Sequence, residues 1–507
     1  MSAVPAPPSA PRWIQVWLAL LAPLYILSPL SLLALPYLRR LPAPALGLLG
    51  FYALSQQLPA LFSAAPLEAS LLALARTLLM AGLIGIGAAL GQTERLWPSA
   101  LGLGVVFATA VGTTVLSGVP LFTERLSHPY MTSITLGLAG AAGMWLALFG
   151  RAPAVWRALL ALISLPVLFL AASRGPLAAA ILGSVAGLMV QAQRRALGAG
   201  AAVAGVLTAA LYWGIQQGNP LAERLLQFST TGRDLVWASS LSAVQSAPLS
   251  GVGSYLLGRH LQPPSAYCEL WIGPNGTLSC PEWVQNLGSP WLIAHNGVLQ
   301  PLAETGPLGL LGLFLLIGAV LFTAWKSKDA LGVALLSGLL AATANDNTLL
   351  VPSPFFAELF WVTAGVQLAR LRAWEPGQAV TAAGLLAALA FPVWAARPTE
   401  SAVLPGQLLF FRADTQASSP KNYQTYSRWK LAPGEYRVLL RSCLSSCTTV
   451  NAATLTTSAE NPVTSLSLQG DLRRAAQHRL ELQIYPSKSA ARATPLATHS
   501  WNVELKP

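Results

Sequence analysis

Charged residues are scarce in this chain. Only 10% of its 507 residues are Asp, Glu, Lys or Arg, whereas 54% are hydrophobic, and the mean hydropathy is +0.54. A water-soluble domain cannot bury that much apolar surface, so the composition excludes a soluble globular protein. The apolar residues fall in repeated runs close to the about 20 residues that cross a bilayer, which predicts a polytopic α-helical membrane protein.

The N-terminus also lacks the features of a cleaved signal peptide. It has a single basic residue, Arg12, and no small-residue cleavage site follows its first apolar run, so we expect the first span to be retained. The apolar runs predict twelve spans, eight before and four after a polar stretch at 217–305. They lie at 13–38, 43–64, 69–91, 97–118, 132–150, 154–172, 175–192, 196–216, 306–324, 330–350, 353–371 and 378–396.

Basic residues cluster in alternate short loops, which identifies those loops as cytoplasmic. The clusters are Arg39 with Arg40, Arg95, Arg151 with Arg157, Arg194 with Arg195, Lys326 with Lys328, and Arg370 with Arg372. The stretch 217–305 and the tail after Arg397 then lie on the outer side. An even number of spans before 217–305 would leave the N-terminus outside, and one missed span would move it. Most of the net charge of +12 comes from the basic residues of the cytoplasmic loops and of the tail, and no nucleic-acid partner is expected.

Cysteine is rare as well. All four cysteines, Cys268, Cys280, Cys443 and Cys447, fall in segments assigned to the outer side, where an oxidising compartment permits disulfides. Two local pairs, Cys268–Cys280 and Cys443–Cys447, are the simplest connectivity. Because no histidine lies at ligand spacing from either pair, a zinc site is a poor alternative.

The tail, residues 398–507, alternates apolar with polar residues between Pro, Gly, Ser and Asn turn signals, the pattern of half-buried strands. It predicts a small β-sandwich. This domain is basic and is either a passive appendage or a docking site for an acidic glycan, a lipid headgroup or an acceptor protein.

Several polar residues stand where the spans cannot easily accommodate them, and charges at membrane depth are usually kept for function. Arg76 lies inside the third span, and Arg125 lies in the short outer loop that follows the fourth. Ser173 and Arg174 interrupt two apolar runs at the outer junction, and Asp346 lies near the outer end of the tenth span. Outer arginines could grip a phosphate or pyrophosphate bidentately. Asp346 could orient an arginine, accept a proton, or only neutralise a buried partner.

Two segments of 217–305 carry the remaining candidates. The first, TGRDLVWASSLSAVQSAPLSGVGSYLLGRH, predicts a short amphipathic helix from about 234 to 245 that begins at Arg233, and a helix start suits an anion. In the second, AHNGVLQPLAETGPLG, His295 and Asn296 precede a stretch that brings Glu304 to the membrane edge. Histidine takes up a proton near neutral pH, as general base catalysis on a sugar hydroxyl requires. It could equally hold that hydroxyl by a hydrogen bond.

These motifs, with SRG at 173–175, GRDLVWASSLSAVQSAPLSGVGSYLLGRH at 232–260 and AHNGVLQPLAETGPLG at 294–309, resemble the O-antigen ligase and polymerase superfamily. The resemblance implies a helical fold of the lipid-dependent glycosyltransferase (GT-C) type in the bacterial inner membrane, with its site facing the periplasm. It implies inverting transfer of a glycan from undecaprenyl pyrophosphate to an acceptor hydroxyl.

The resemblance also implies roles for individual residues. His295 would activate or position the acceptor, and Asn296 and Glu304 would help to orient it. The candidate catalytic residues are His295, Glu304 and Asp346, with Asn296 in support, and the candidate pyrophosphate ligands are Arg174, Arg233, Arg125 and Ser173. The arginines would stabilise the leaving group as a metal does in many soluble transferases. No DxD-like acidic pair stands in the outer loops, so we expect neither a metal nor another cofactor.

One departure from the family leaves the acceptor open. Typical members end soon after their last span, whereas this chain adds about 110 residues, 398–507. We favour an O-antigen ligase acting on a lipid A core, with a polysaccharide polymerase or a protein O-oligosaccharyltransferase as alternatives. A lipid-linked sugar flippase is a more distant alternative, because no internal repeat is evident and the polar groups gather at one surface. A non-catalytic assembly protein would tolerate loss of His295.

Overall fold

The computed structural model describes residues 11–118, 120–121, 125–191, 212, 216–217, 233–261, 293–344 and 346–371 of the helical part, and 407–416, 419–443, 447–457, 463–471, 477–487 and 495–504 of the tail. Contacts divide the chain into two compact units, one with the described helices and one with the described strands. The spans predicted at 378–396 and, apart from residues 212 and 216, at 196–216 lie outside the described residues, as does the pair Cys268–Cys280.

The helical unit contains helices that coincide with most of the predicted apolar runs. They are α1 Arg12–Leu21, α2 Ala43–Ala60, α3 Pro66–Leu90, α4 Ser99–Leu116, α5 Ser133–Phe149, α6 Ala154–Leu170, α7 Arg174–Gln191, α8 Arg233–Ser246, α9 Leu299–Lys326, α10 Ala330–Ala342 and α11 Phe356–Leu368.

Four helical segments among the described residues are long and apolar enough to cross a membrane by length and composition, namely Pro66–Leu90, Thr93–Leu116, Arg174–Gln191 and Leu299–Lys326. Large apolar side chains such as Leu101, Leu116 and Leu162 point outward and are exposed, as expected of helices that face lipid. The chain is therefore a multi-pass helical membrane protein. The count of twelve spans stays a prediction.

The predicted first span, 13–38, is not one helix. It divides into α1 and a 3-10 helix, Tyr25–Arg40, with a break at 22–24. The cause is proline, which lacks the N–H group that an α-helix needs: Pro23 falls in the break, and Pro29 and Pro36 lie in the 3-10 helix. The Trp17 indole N–H donates to the Leu27 carbonyl at 2.9 Å, a contact that a straight helix could not make, so the chain bends back here.

Helix α9 joins the outer stretch to a predicted span and contains a kink. It begins at Leu299, seven residues before the predicted span at 306, and is interrupted at Gly306, where φ is +64°. A side chain at this glycine would collide with the Leu249 carbonyl, so glycine is required by both the backbone conformation and the close approach. The kink lets the chain at 249–253 pack directly on the helix.

Helices α7 and α10 pack against each other in opposite directions. A Cβ added at Gly183 would lie 2.6 Å from the Ala334 oxygen, and one added at Gly187 would lie 3.0 Å from the Ala330 oxygen, so moving forward along α7 means moving back along α10. The start of α7, Arg174, therefore lies at the same end of the pair as the end of α10. This end carries the candidate site.

The tail unit is all-β in its described residues. Its strands are β1 Gln407–Gln416, β2 Ser419–Lys430, β3 Gly434–Cys443, β4 Cys447–Thr457, β5 Val463–Asp471, β6 Gln477–Pro486 and β7 Ala497–Glu504. They form two antiparallel sheets in the orders β1-β2-β5 and β4-β3-β6-β7. Alternate side chains of the second sheet, including Val438, Leu440, Leu482 and Ile484, are fully buried. The predicted disulfide between Cys443 and Cys447 is confirmed and closes the β3–β4 hairpin.

Candidate functional site

His295 and Asp346 form the centre of the candidate site. The Nδ1 atom of His295 lies 3.1 Å from Oδ1 of Asp346, and both side chains are partly exposed, at 38% and 22%. A carboxylate at this distance accepts a hydrogen bond from Nδ1–H, which leaves Nε2 as the basic nitrogen. The imidazole is thus both oriented and open to a ligand. The sequence did not pair these two residues.

Backbone contacts bring the two chain segments together. Gly297 N donates to the Thr343 carbonyl at 2.7 Å, and a side chain at Gly297 would collide with Thr343. Asn296 does not contact the imidazole; its Oδ1 accepts from Val298 N and Leu299 N at 3.0 and 2.9 Å, which caps the start of α9. Asn296 therefore holds the backbone that follows His295, and its supporting role in the reaction stays a prediction.

The candidate pyrophosphate ligands of the first two outer loops lie around one turn. Arg125 donates to Ser133 Oγ at 3.0 Å and to the Ala172 carbonyl at 2.9 Å. Ser173 follows that carbonyl and is buried, and Arg174 begins α7 and is partly exposed. The guanidinium of Arg125 therefore contacts the α6–α7 turn that Ser173 and Arg174 belong to. Because α7 and α10 are antiparallel, this turn lies at the end of the pair where Thr343 and then Asp346 follow.

The third candidate arginine starts a helix, as predicted. Helix α8 begins at Arg233 and packs on α9 through an apolar cluster that includes Val244, Leu257, Leu299 and Leu302. The side chain of Arg233 lies outside the described part of the chain. Helix α8 is therefore held against the element that His295 precedes.

Glu304 lies apart from the imidazole. Its carboxylate is fully buried, and its Oε2 atom lies 2.6 Å from Nη2 of Arg76, a residue of α3. Its Oε1 atom accepts from Gln300 Nε2 at 2.7 Å and from Tyr255 N at 2.9 Å. Asp346, and not Glu304, is therefore the acid within hydrogen-bond distance of His295.

The comparison with known proteins agrees with this arrangement. Residues 158–314 match the family model described as O-antigen ligase. This segment is less than a third of the chain, and the match supports the resemblance to the O-antigen ligase and polymerase superfamily. It includes Ser173, Arg174, Arg233, His295 and Glu304, whereas Arg125, Asp346 and the strand unit lie outside it. No curated protein matches the chain. The match supports a general enzymatic role in glycan transfer at a membrane.

Three residues near the O-antigen ligase motifs have roles that the sequence did not assign. Arg76 was conspicuous as a charge inside a span, but its partner was unknown. Nothing in the sequence singled out Gln300 or Tyr255, although both occur in the quoted motifs. The Tyr255 ring lies 4.0 Å from the Arg76 guanidinium, and its hydroxyl donates to the Val351 carbonyl. Burial raises the pKa of the Tyr255 hydroxyl, so it stays protonated and a donor.

Among the described residues, one group of possible metal ligands occurs, Cys443, Cys447 and Glu481 in the strand unit. The two sulfur atoms are bonded to each other, so they do not offer thiolates to a metal. This group therefore carries no metal-site assignment.

Proposed function

We propose that this chain is a GT-C-like membrane glycosyltransferase that moves a glycan from undecaprenyl pyrophosphate to an acceptor hydroxyl, most simply as an O-antigen ligase acting on a lipid A core. The observation that supports this most is the contact between His295 and Asp346, at the end of the α7–α10 pair that also carries Arg174. A base and a phosphate ligand on one side are what such a transfer requires.

In this proposal, His295 acts as the general base. Nδ1–H donates to Asp346, and Nε2 removes the proton of the acceptor hydroxyl as its oxygen attacks the anomeric carbon. The new carbon–oxygen bond forms on one face of the sugar while the bond to the pyrophosphate oxygen breaks on the other. The configuration is inverted, and undecaprenyl pyrophosphate leaves with the bonding electrons.

The arginines stabilise the negative charge that develops on the leaving group. Arg125, Arg174 and Arg233 would donate to the pyrophosphate oxygens, with Ser173 as a further donor. Guanidinium groups bind phosphate bidentately and stay charged, so they can serve where a metal serves in other transferases. The reaction is accordingly proposed to be metal-independent.

The proposed setting is the inner membrane of a bacterium, with the site on the periplasmic side. Residues 1–397 would form the membrane domain with twelve spans, and residues 398–507 a periplasmic β domain. The Cys443–Cys447 disulfide fits an oxidising compartment.

The experiment is glycan transfer by the full-length protein in nanodiscs, from purified undecaprenyl pyrophosphate oligosaccharide, with and without chelator. Lipid A core, free carrier-linked glycan and a protein extract serve as acceptors. The variants are His295→Ala and Arg174→Lys. The matched control is His260→Ala, which removes an exposed histidine that is not a candidate site residue.

We expect transfer that survives chelator, is lost in His295→Ala, is weakened in Arg174→Lys and is intact in the control. The labelled acceptor then separates a ligase from a polymerase and from a protein oligosaccharyltransferase. Full transfer by His295→Ala, or no transfer to any acceptor, would refute the proposal and favour a transporter.

A further inference from the structure

The side chain of Gln300 is buried, and both the oxygen and the nitrogen of its amide make hydrogen bonds. Its Oε1 atom accepts from Ala294 N at 2.6 Å, and its Nε2 group donates to Glu304 Oε1 at 2.7 Å. Only 2% of the residue is exposed. The glutamine therefore ties a carboxylate inside α9 to the peptide N–H immediately before His295.

The chain of contacts continues beyond Glu304 into another helix. The second carboxylate oxygen pairs with Arg76 of α3, and Tyr255 both donates its N–H to Glu304 and lies against the Arg76 guanidinium. An ion pair in a buried site is held in one geometry because neither partner can exchange its bonds for water. Glu304 is therefore a fixed acceptor for the Gln300 amide.

The backbone at His295 needs such a support. Its φ is +48°, in the left-handed region that side-chain-bearing residues rarely adopt. Strained conformations of this kind persist only where the surrounding structure determines them, and they occur often at functional sites. The contacts on either side of it are those of Gln300 with the N–H of Ala294, of Asn296 with the N–H of Val298, and of the Gly297 N–H with the Thr343 carbonyl.

We propose that Gln300 is a positioning residue for His295. With Glu304 and Arg76 it forms a relay of ion-paired and hydrogen-bonded side chains from the interior of α3 to the backbone at Ala294, and this relay holds the imidazole beside Asp346. Glu304 then acts through Gln300 and not on the substrate. The consequence for catalysis rests on the proposed function, whereas the consequence for His295 itself does not.

A second buried glutamine in the same molecule serves as a control for a purely structural role. Gln56 of α2 is as buried as Gln300, and its Nε2 donates to the Gly309 carbonyl of α9 at 3.0 Å, on the far side of the kink. Gln56→Met and Gln300→Met each remove one buried amide that contacts α9. Only the second removes a contact next to His295.

The test measures two properties of these variants. The first is glycan transfer, separated into kcat and KM for the acceptor. The second is the rate at which diethyl pyrocarbonate modifies His295, followed by mass spectrometry from pH 5.5 to 8.5. The modification needs no donor, no acceptor and no activity.

For Gln300→Met we expect a fall in kcat of about 10- to 100-fold with little change in KM, because a small misplacement of a reacting group costs that much. We also expect a changed rate and pH profile of His295 modification. Gln56→Met should leave both properties as in the wild type.

Gln300→Glu gives a second, directional test. A protonated carboxyl at 300 can still donate to Glu304 and accept from Ala294 N, but the proton shared by the two carboxyl groups is lost as the pH rises, which leaves two negative charges side by side. The ratio of variant to wild-type kcat should therefore fall as the pH rises. This variant, purified at acidic pH, also replaces Gln300→Met if the latter does not fold.

The inference is overturned if His295 modification is the same in Gln300→Met, Gln56→Met and wild type, or if the Gln300→Glu ratio is independent of pH. If the wild-type protein itself transfers no glycan, the proposed function fails, and the modification profiles alone decide the positioning role.

Discussion

Replacing Arg76 by methionine removes the positive half of the most deeply buried ion pair in the described residues. The Nη2–Oε2 distance to Glu304 is 2.6 Å, and the two side chains are 7% and 0% exposed. After the substitution the carboxylate keeps only neutral donors, Gln300 Nε2 and Tyr255 N. Methionine fills much of the space of the arginine stem, so the lost charge dominates the effect.

The geometry gives the size of the effect. Breaking a buried pair by removing one partner costs about 3–5 kcal/mol, because the remaining charge is uncompensated. The double variant Arg76→Met/Glu304→Gln carries no such charge. Both neutral donors reach the same oxygen, Oε1, and an amide oxygen can accept from both. We expect the double variant to be more stable than Arg76→Met, with a coupling energy of about 2–3 kcal/mol.

The assay is reversible unfolding of the full-length protein by SDS in mixed micelles, followed by the helical circular dichroism signal. Each of the two single variants and the double variant is compared with the wild type, which completes a double-mutant cycle. If Arg76→Met costs less than about 1 kcal/mol, or if the two single effects simply add, the pair does not carry the buried charge that we assign to it.

Two further predictions follow from other contacts of the helical unit. Asp346→Asn should lower kcat for glycan transfer by about 100-fold or more and leave donor binding unchanged, because Nδ1 of His295 loses the carboxylate that selects its tautomer. A near-wild-type kcat in a steady-state assay would contradict this role. Asp329→Asn should lower the free energy of unfolding by about 2–4 kcal/mol without lowering kcat per folded molecule. The reason is that the Asp329 carboxylate accepts hydrogen bonds from Thr93, Gly332, Gln367 and Arg370. The same SDS titration tests this prediction, and an unchanged unfolding midpoint would count against it.

The features that the sequence predicted well are those set by local periodicity. Apolar runs gave α3, α5 and α6 to within three residues of their ends, and the stretch after Arg233 gave α8. The alternating pattern of the tail predicted strands, and parts of the tail form β3, β5, β6 and β7. In each case the side chains that decide the structure are neighbours along the chain.

The features that the sequence missed depend on residues far apart in the chain. Arg76 and Glu304 stand in different helices, and their pairing follows from packing that no local pattern encodes. The contact between His295 and Asp346 arises because Gly297 can approach Thr343 closely. The division of the first predicted span followed from prolines that a window average of hydropathy does not register.

The two acids near the site illustrate why environment, and not residue type, assigns a role. In the sequence, Glu304 and Asp346 were equivalent candidates, each a carboxyl near the outer end of a span. In the structure, Glu304 is enclosed and paired with Arg76, and its Oε1 atom accepts two hydrogen bonds, so burial keeps it from a substrate. Asp346 is partly exposed and contacts the imidazole. An enclosed carboxylate can fix a geometry but cannot exchange a proton with an acceptor, whereas an exposed one beside histidine can respond to the charge that forms there. The division between a positioning acid and an orienting acid therefore follows from burial and partners alone.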